Sequence, residues 1–371
     1  MSYFLHNLRR VFRELQAQPF SQLPARLQAM AGPKLTKLAE EAAVRTGAGG
    51  MIGRRYRGAG IALMFHEVHG DVDAELRTGC DADQLERIIG AVKASGRDIV
   101  SMEEGLRRLN DPGSRPFALL TFDDAYLDNR ENALPVLERY QAPMTLFVPT
   151  GMIDRSLYAW WLGLRELIKS SDTVEITAMG ASFQTGDLAS KAAAMRQVTA
   201  WIGTDQAKAD ALASDFARFG VSVPGLIDHY AMTAEDLKAF ASHPLVTIGA
   251  HTKSHRFLSG LSESDVRGEF SSNKMFLEDL LQTAVETLAY PYGTEKACGA
   301  REAEIAAQTG FQASFTTRPG QLFAEHLATP QLMPRIDFGY APQSVAACAS
   351  RLSGLHRAMI TRFGDPVATL H

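Results

Sequence analysis

The sequence predicts an α/β fold in which parallel strands alternate with helices. The first observation is a series of short apolar runs, such as residues 117–122 (FALLTF), with the length and continuity of buried parallel strands. The second is that helical patterning separates most of these runs, as in repeated βα units. The third is composition: 371 residues, 46% hydrophobic and 22% charged, are typical of a soluble enzyme and suffice for one large barrel with an appendage.

The predicted elements follow the chain in order. Strands are predicted near residues 61–65, 98–101, 117–122, 144–149, 245–250, 286–290 and 311–317. Helices are predicted near residues 82–94, 132–140, 263–282 and 301–309, and a final helix is expected outside the barrel near 342–363. The predicted domains are an N-terminal helical arm (1–57), a barrel (58–340) with a helical insertion at about 154–244, and a C-terminal helix that packs on the barrel (341–371).

Two adjacent aspartates stand at the carboxyl end of the 117–122 run, where barrel enzymes keep their chemistry. Neighbouring side chains at a strand end point in different directions, so Asp123 can handle a proton while Asp124 binds a cation. Such a pair also occurs in helix caps and turns. The position alone therefore leaves the structural alternative open.

Two histidines follow another candidate strand, residues 245–250, in His251-Thr252-Lys253-Ser254-His255. A spacing of four is expected to place both imidazoles on one side of a helical turn, within reach of one ion. With Asp124 they form a three-ligand set with an open position. On Zn²⁺ such a position holds a water whose pKa falls to about 7. An HxxxH pattern alone arises often by chance, but its conjunction with the aspartates favours a metal hydrolase, with Asp123 as general base.

These segments, with Tyr290-Pro291-Tyr292-Gly293, resemble motifs of the polysaccharide deacetylases, carbohydrate esterase family 4. TFDDAYLDN resembles the first family motif, HTKSH the second and YPYG the end of the third. The resemblance covers roughly residues 60 to 340. It implies a distorted (β/α)7-type barrel that removes acetyl groups from N-acetylated sugars. Asp123 would be the base, Asp124, His251 and His255 would hold the metal, and the Tyr292 backbone N–H would contribute to the oxyanion hole.

The third motif departs from the family pattern, because Ala289 stands where many members have an arginine that orients the base. Arg335, late in the barrel, is one candidate replacement. The alternative is that Arg335 pairs with Asp337 or with another surface carboxylate.

A further departure concerns the general acid. The family usually takes it from a Leu-x-x-His motif near the carboxyl end, whereas here 63–66 (LMFH) supplies that pattern near the start. This resembles the circularly permuted branch that acts on poly-β-1,6-N-acetylglucosamine and related exopolysaccharides. His66 would then protonate the leaving amine. The first and last strands of a closed barrel are neighbours, so such a transfer preserves the site. The other histidines considered, His69, His326 and His356, are expected at the surface.

The insertion carries helical stretches around residues 160–169, 191–202 and 205–219, and Thr233 with Asp236 approaches a capping-box pattern. Barrel function varies through the loops of one face, so the insertion is predicted to form a cap over the active-site face. Trp160 and Trp161 either stack on sugar rings or anchor the core of the cap.

The arm is strongly basic. Residues 1–57 contain ten Lys or Arg and three Glu, a net charge of +7, so the remaining 314 residues carry −11 of the total of −4. Apolar residues at helical spacing between 4 and 15 predict a basic amphipathic helix that contacts anionic lipid. Packing under the barrel, dimerisation and an organelle transit peptide are the alternatives. The acidic body argues against nucleic-acid binding.

Further expectations concern location and cofactor. The three separated cysteines, with neither an apolar run of about 20 residues nor a secretory signal, predict a cytoplasmic protein, possibly peripheral to the inner face of the membrane. The expected cofactor is one divalent ion, Zn²⁺ first, then Co²⁺, Ni²⁺ or Mn²⁺. The expected partner is an N-acetylated sugar, in a polymer, an oligosaccharide or a lipid-linked precursor; the sequence makes no prediction of oligomeric state. Hydrolysis of a cyclic imide or ureide, or a catalytically decayed carbohydrate-binding module, is the alternative function.

Overall fold

The computed structural model describes residues 42, 44, 48–70, 76–339 and 344–367. The predicted amphipathic helix between residues 4 and 15 lies outside the described residues, so its contact with lipid stays a prediction. The domain boundaries also stay predictions. Among the described helices, none combines the length and the apolar character needed to cross a bilayer.

The described part of the chain contains twelve strands. They are β1 (Gly60–Phe65), β2 (Glu67–His69), β3 (Gly79–Asp81), β4 (Asp98–Ile99), β5 (Phe117–Asp123), β6 (Met144–Val148), β7 (Thr173–Ile176), β8 (Ala181–Gln184), β9 (Val246–Ala250), β10 (Thr287–Ala289), β11 (Ala313–Phe315) and β12 (Ile336–Asp337). The main sheet has the parallel order β11-β10-β9-β6-β5-β1-β12, and β4 adds to β5. Every strand predicted from the sequence is present.

The two ends of this sheet approach each other. Met333, just before β12, donates its N–H to Ser314 and accepts from Thr316 N–H, at the end of β11. On its other side β12 pairs with β1, with Ile336 opposite Leu63. Seven strands therefore form a distorted, unevenly closed ring, which confirms the predicted distorted (β/α)7-type barrel and places the first and last strands side by side.

The α-helices of the described residues lie outside this ring or in the insertion. They are α1 (Ala48–Gly53), α2 (Ala82–Ala94), α3 (Met102–Leu109), α4 (Leu134–Tyr140), α5 (Thr150–Ile153), α6 (Trp160–Lys169), α7 (Leu188–Ile202), α8 (Gln206–Arg218), α9 (Val223–Tyr230), α10 (Ala234–Ala241), α11 (Glu263–Leu281), α12 (Ala300–Gln308), α13 (Val345–Ser353) and α14 (Leu355–Ile360). The helices predicted in the barrel correspond to α2, α4, α11 and α12.

Side chains alternate in direction along each strand, so the strands contribute to two separate apolar clusters. Ile61, Leu63 and Phe65 belong to the cluster that the outer helices complete, whereas Ala62 belongs to a second cluster inside the ring with Phe147. Both clusters are fully or nearly fully buried. This double burial explains why the strands read as continuous apolar runs instead of alternating ones.

The predicted insertion, at about residues 154–244, is called the cap below. Its three predicted helical stretches correspond to α6, α7 and α8, and Thr233 with Asp236 forms the predicted capping box at the start of α10. The antiparallel hairpin β7–β8 and the helix α9 were not predicted. The cap has an apolar core of its own, which includes Trp160.

The single final helix predicted near 342–363 is wrong, since Gly354 divides this region into α13 and α14. Gly354 has φ 81°, and a Cβ there would lie 2.5 to 2.7 Å from backbone atoms of Gly53, Tyr56 and Arg57. A residue with a side chain would clash in that turn. The break lets both short helices pack against α1.

Candidate metal and proton-transfer site

Three segments carry the candidate residues to one end of the barrel, and each leaves its strand through an unusual backbone conformation. Asp123 is the last residue of β5, and Asp124 turns away from it with φ 76°. His255 has φ 52° and Tyr292 has φ 60°. Left-handed conformations at residues other than glycine cluster at functional sites, where they aim side chains that a regular strand or helix would direct elsewhere.

The predicted metal ligands lie together. The Oδ1 atom of Asp124 is 3.5 Å from His251 Nε2 and 3.4 Å from His255 Nε2. All three ligand atoms lie within 4.8 Å of one another, and the residues are 2 to 8% exposed. Ligands about 2.0 to 2.2 Å from a tetrahedral zinc ion are separated by roughly 3.4 Å. The geometry therefore fits one small divalent ion.

The polar chemistry of these residues also fits an ion. Asp124 Oδ1 is buried without a hydrogen-bond partner, and burial raises the pKa of this carboxyl. His251 Nδ1 lies 2.7 Å from the carbonyl oxygen of Ala289. A carbonyl only accepts hydrogen bonds, so Nδ1 carries the proton and Nε2 keeps its lone pair for a ligand bond. Burial holds the pKa of His255 well below its usual value, which leaves a neutral imidazole.

The segment between the two histidines differs from the prediction. Residues 251–255 form an irregular loop instead of a helical turn, and Thr252 has φ 64°. His255 N–H donates to Thr252 Oγ1 at 3.1 Å, which closes the loop and brings the two rings to a centroid distance of 5.0 Å. Each left-handed residue costs about 1 to 3 kcal/mol, so the surrounding protein must compensate.

Asp123 is paired with Arg335. The guanidinium contacts both carboxylate oxygens, Nη1 to Oδ1 at 2.7 Å and Nη2 to Oδ2 at 2.8 Å, and the arginine is 0% exposed. Thr121 Oγ1 and Thr316 O accept its other hydrogen bonds. The two interpretations of Arg335 differ in its carboxylate partner. The structure shows that this partner is the buried Asp123, the candidate base, and not a surface group.

The ion pair controls the protonation of Asp123. Burial alone would raise its pKa, but the charge and the hydrogen bonds of Arg335 outweigh that effect and lower the pKa to about 2. Asp123 is therefore ionised at neutral pH. Ala289, at the position of the usual family arginine, is buried inside the ring beside Phe147, and the Arg335 guanidinium lies 5.5 Å from the Phe147 ring centroid.

His66 lies on the open side of the same carboxylate. Its Nε2 atom is 4.0 Å from Asp123 Oδ2, and its side chain is 20% exposed, against 2% for Asp123. Asn129 Nδ2 donates to the His66 carbonyl oxygen at 2.7 Å and fixes the backbone there. His66 is thus the more accessible of two groups that face each other.

Tyr292 forms the wall on the metal side. Its ring stacks on Phe257 at a centroid distance of 3.8 Å and lies 4.9 Å from the His255 ring. Thr317 Oγ1 donates to its carbonyl oxygen at 2.6 Å, and the next residue, Gly293, also has a positive φ of 56°. These contacts hold the Tyr292 backbone next to the ligand set.

The cap reaches into the site through α6. Trp160 is 5% exposed and donates to Tyr292 Oη at 3.0 Å, whereas Trp161 is partly exposed, with its ring centroid 4.8 Å from that of His255. Trp161 also donates to the buried Tyr126 Oη at 2.8 Å. Trp160 therefore anchors the cap, as one interpretation predicted, and Trp161 borders the site, where stacking on sugar rings stays a prediction.

A buried ion pair joins the cap to the residue after His66. Arg165 on α6 donates to both oxygens of Glu67, at 3.0 and 2.8 Å, and Arg77 also pairs with Glu67. Burial would raise the Glu67 pKa, but the two arginines lower it. This pair was not predictable from the sequence, because Glu67 and Arg165 are far apart in the chain and neither belongs to a motif.

Two other histidines differ from expectation. His69 is 4% exposed and His326 is 0% exposed, so neither is a surface residue. His69 belongs to β2, which pairs with β3, and His326 Nδ1 accepts from Phe323 N–H at 3.1 Å. Only His356, of the three, keeps intermediate exposure.

Comparison with known proteins settles the family. The polysaccharide deacetylase family model matches residues 110–314, more than half of the chain. The chain belongs to the polysaccharide deacetylase family. This family match agrees with the class of enzyme that the motifs predicted, a hydrolase that acts on carbon–nitrogen bonds.

Individual relatives are distant. A putative polysaccharide deacetylase of Bacillus subtilis, YxkH, is 23% identical over 207 residues, 56% of this chain and 47% of that protein, so the chain spans about half the length of the curated relative it matches. Among solved structures, the Streptococcus pyogenes deacetylase PplD in complex with acetate has a TM-score of 0.52 at 18% identity, covering 79% of this chain and 97% of that one. IcaB from Ammonifex degensii has a TM-score of 0.52 at 17% identity, with the same coverage. The fold, including its likeness to the IcaB-like branch, agrees with the predicted resemblance.

Proposed function

We propose that this protein is a metal-dependent N-deacetylase that removes acetyl groups from N-acetylhexosamine units of a polysaccharide, an oligosaccharide or a lipid-linked glycan precursor. The observation that carries the proposal is the joining of two sets of residues at one site. A buried carboxylate and two imidazoles fit one ion, and the Arg335-bound Asp123, next to Asp124 in the chain, faces His66. A decayed binding module would have no need to keep both sets.

The proposed division of labour follows from protonation and access. A divalent ion held by Asp124, His251 and His255 would supply Lewis-acid polarisation of the acetyl carbonyl and lower the pKa of a water. Asp123, ionised because of Arg335, accepts the proton of the attacking water. The Tyr292 N–H donates to the oxygen on which negative charge develops.

His66 completes the reaction. Cleavage of the C–N bond expels an amine, which is a poor leaving group until its nitrogen is protonated. His66 faces the same carboxylate from the open side of the site, so in its protonated form it donates to the departing nitrogen. The products are acetate and a free amino sugar. Asp123 and His66 thus move protons at opposite sides of the scissile bond.

Three finer points belong to the same proposal. Zinc is the proposed ion, supported by a donor set of one carboxylate and two imidazoles. A cytoplasmic location is proposed, supported by the three buried cysteines without disulfide partners. Contact of the basic arm with anionic lipid would then favour a lipid-linked precursor over finished exopolysaccharide as substrate.

The test is acetate release by zinc-loaded wild type and Asp123→Asn from N-acetylglucosamine oligomers with β-1,4 and β-1,6 linkages, with metal content measured on the same samples. We expect metal in both proteins and acetate from the wild type alone. Metal with neither acetate from any oligomer or lipid-linked precursor nor ring opening of a cyclic amide would indicate a binding module. Release of ammonia or ring opening from a cyclic imide or ureide would support the other hydrolase, and absence of metal would contradict the mechanism.

A further inference from the structure

The loop that carries both histidine ligands has no regular structure of its own. Residues 251–255 contain two left-handed backbone positions, at Thr252 and His255. An irregular loop with such positions keeps one conformation only if outside groups satisfy its polar backbone atoms. Among the described residues, one helix supplies most of those groups.

Asn273 on α11 bonds to the beginning of this loop. Its Oδ1 accepts from His251 N–H at 3.1 Å, and its Nδ2 donates to Thr252 O at 2.6 Å. The same Nδ2 reaches Val148 O at 3.0 Å, at the end of β6. The side chain is 0% exposed and connects the loop to the neighbouring strand.

Glu269 bonds to the next part of the loop. It lies four residues before Asn273, so both side chains project from one face of α11. Its Oε2 accepts from the N–H groups of Lys253 and Ser254, at 2.9 and 2.8 Å, and its Oε1 accepts from Ser254 Oγ. A carboxylate that accepts from consecutive N–H groups stabilises a loop more strongly than a neutral acceptor does.

We infer that Asn273 and Glu269 are positioning residues that set the geometry of the metal site without touching the ion. They fix the backbone at His251, Thr252, Lys253 and Ser254, and thereby the separation of the two imidazoles. The inference rests on the proposed use of His251 and His255 as ligands. Asparagine suits this position because it combines an acceptor with donors in one buried side chain, which neither Asp nor Leu can do.

The test measures metal affinity and coordination in the full chain. We expect Asn273→Ala and Glu269→Ala to weaken zinc binding by about 10- to 100-fold, the range for loss of a partner that orients a metal ligand. The zinc dissociation constant is measured by competition with a chelator. In cobalt-loaded protein the visible spectrum should change in intensity, because the imidazoles no longer hold a compact geometry. Glu269→Gln keeps an acceptor and should recover most of the affinity.

The matched control is Gln331→Ala. Gln331 is also a buried amide, and it bonds Phe311 O, just before β11, and Ser314 Oγ, in β11. It should lose comparable thermal stability while binding zinc as wild type does. If the two α11 variants lose stability but keep wild-type zinc affinity and cobalt spectrum, the inference is wrong and their role is general packing. Glu269 is partly exposed, so Glu269→Ala decides the question should Asn273→Ala not fold. A wild type that binds no metal would instead remove the proposed function.

Discussion

The two halves of the candidate site are built in different ways. The ligand half, Asp124 with His251 and His255, depends on backbone: each of its segments contains left-handed residues, and Asp124 Oδ1 has no hydrogen-bond partner among the described residues. The proton-transfer half depends on side chains, since the charge of Asp123 is balanced by Arg335, which lies just before β12. In the ligand half, a bound cation is needed to balance the carboxylate charge of Asp124. In the proton-transfer half, Arg335 already balances the charge of Asp123. Two adjacent aspartates therefore have opposite electrostatic situations.

The largest expected effects come from exchanging these two aspartates for asparagine. Both variants should lose acetate release by at least about 10²-fold, since a proton acceptor or a metal ligand is gone. Without metal, however, Asp123→Asn should be less stable than wild type because Arg335 loses its charged partner. Asp124→Asn should be as stable or more stable, because an unpaired buried carboxylate is removed.

Thermal unfolding of the metal-free proteins measures this difference, and zinc titration supplies the second readout. Only Asp124→Asn should bind zinc more weakly. Equal stability changes in the two variants would contradict the contrast between the halves.

The next largest effect is expected from removal of the candidate general acid, His66. We expect His66→Gln to lower kcat by about 10²- to 10⁴-fold, the usual contribution of a positioned proton donor. Zinc content should be unchanged, since His66 lies on the open side and outside the ligand set. The check is a pH–rate profile with metal content: loss of the alkaline limb supports the assignment, and an unchanged profile would assign the acid to another group.

A variant of Arg335 tests whether its charge alone is enough to orient Asp123 in the proton-transfer half. Arg335→Lys keeps the charge but loses the two-point contact with Asp123, so we expect kcat to fall by up to about 10²-fold through misplacement of the base. KM and zinc affinity should change little. Wild-type kcat in this variant would mean that the orientation of Asp123 is set elsewhere, for example by Thr121, which bonds Leu63 O.

A smaller effect is expected where the cap borders the site. Trp161→Ala should raise KM for sugar oligomers by about tenfold or less, because an aromatic contact contributes roughly 0.5 to 1.5 kcal/mol beyond buried area. Trp161→Phe should recover part of the loss. The core residue Trp160 is the comparison: Trp160→Phe should act on thermal stability more than on KM. A Trp161→Ala enzyme with unchanged KM would remove this ring from the binding surface.

The smallest effect is a dependence of stability on pH. The pKa of Asp123 is lowered in the folded protein to about 2 from an ordinary 3.8. Its ion pair therefore stabilises the fold above about pH 4, and this contribution is lost as the pH falls towards 2. In metal-free protein the stability advantage of wild type over Asp123→Asn should shrink across that range in denaturant titrations. An advantage independent of pH would contradict the lowered pKa.

The barrel was predictable because its signals are local. The apolar run before Asp123 and the strand ahead of His251 are each visible within a few residues, and the βα alternation orders them. The cap was only partly predictable: the hairpin β7–β8 consists of two strands of four residues each, too short to stand out from neighbouring helical patterns. The break at Gly354 depends on contact with α1, which no local pattern reveals.

The candidate site divides in the same way. Residue types and spacing identified Asp124, His251 and His255 as ligands, and the structure brings them together. The spacing of the two histidines did not predict the conformation of the 251–255 loop, because a separation of four residues also fits a tight irregular turn. The sequence left two interpretations of Arg335 open, because its bond to Asp123 joins residues that are 212 positions apart in the chain. The roles of His66 and Tyr292 stay predictions.

The position of Trp161 also gives this protein an optical property. The chain has three tryptophans, and the ring of this one lies 4.8 Å from that of a ligand histidine. A transition ion with visible absorption quenches indole emission at such short range, whereas zinc, which lacks such absorption, does not. We therefore expect exchange of one ion for the other in the candidate site to be followed by the intrinsic fluorescence of the unlabelled protein, without any substrate.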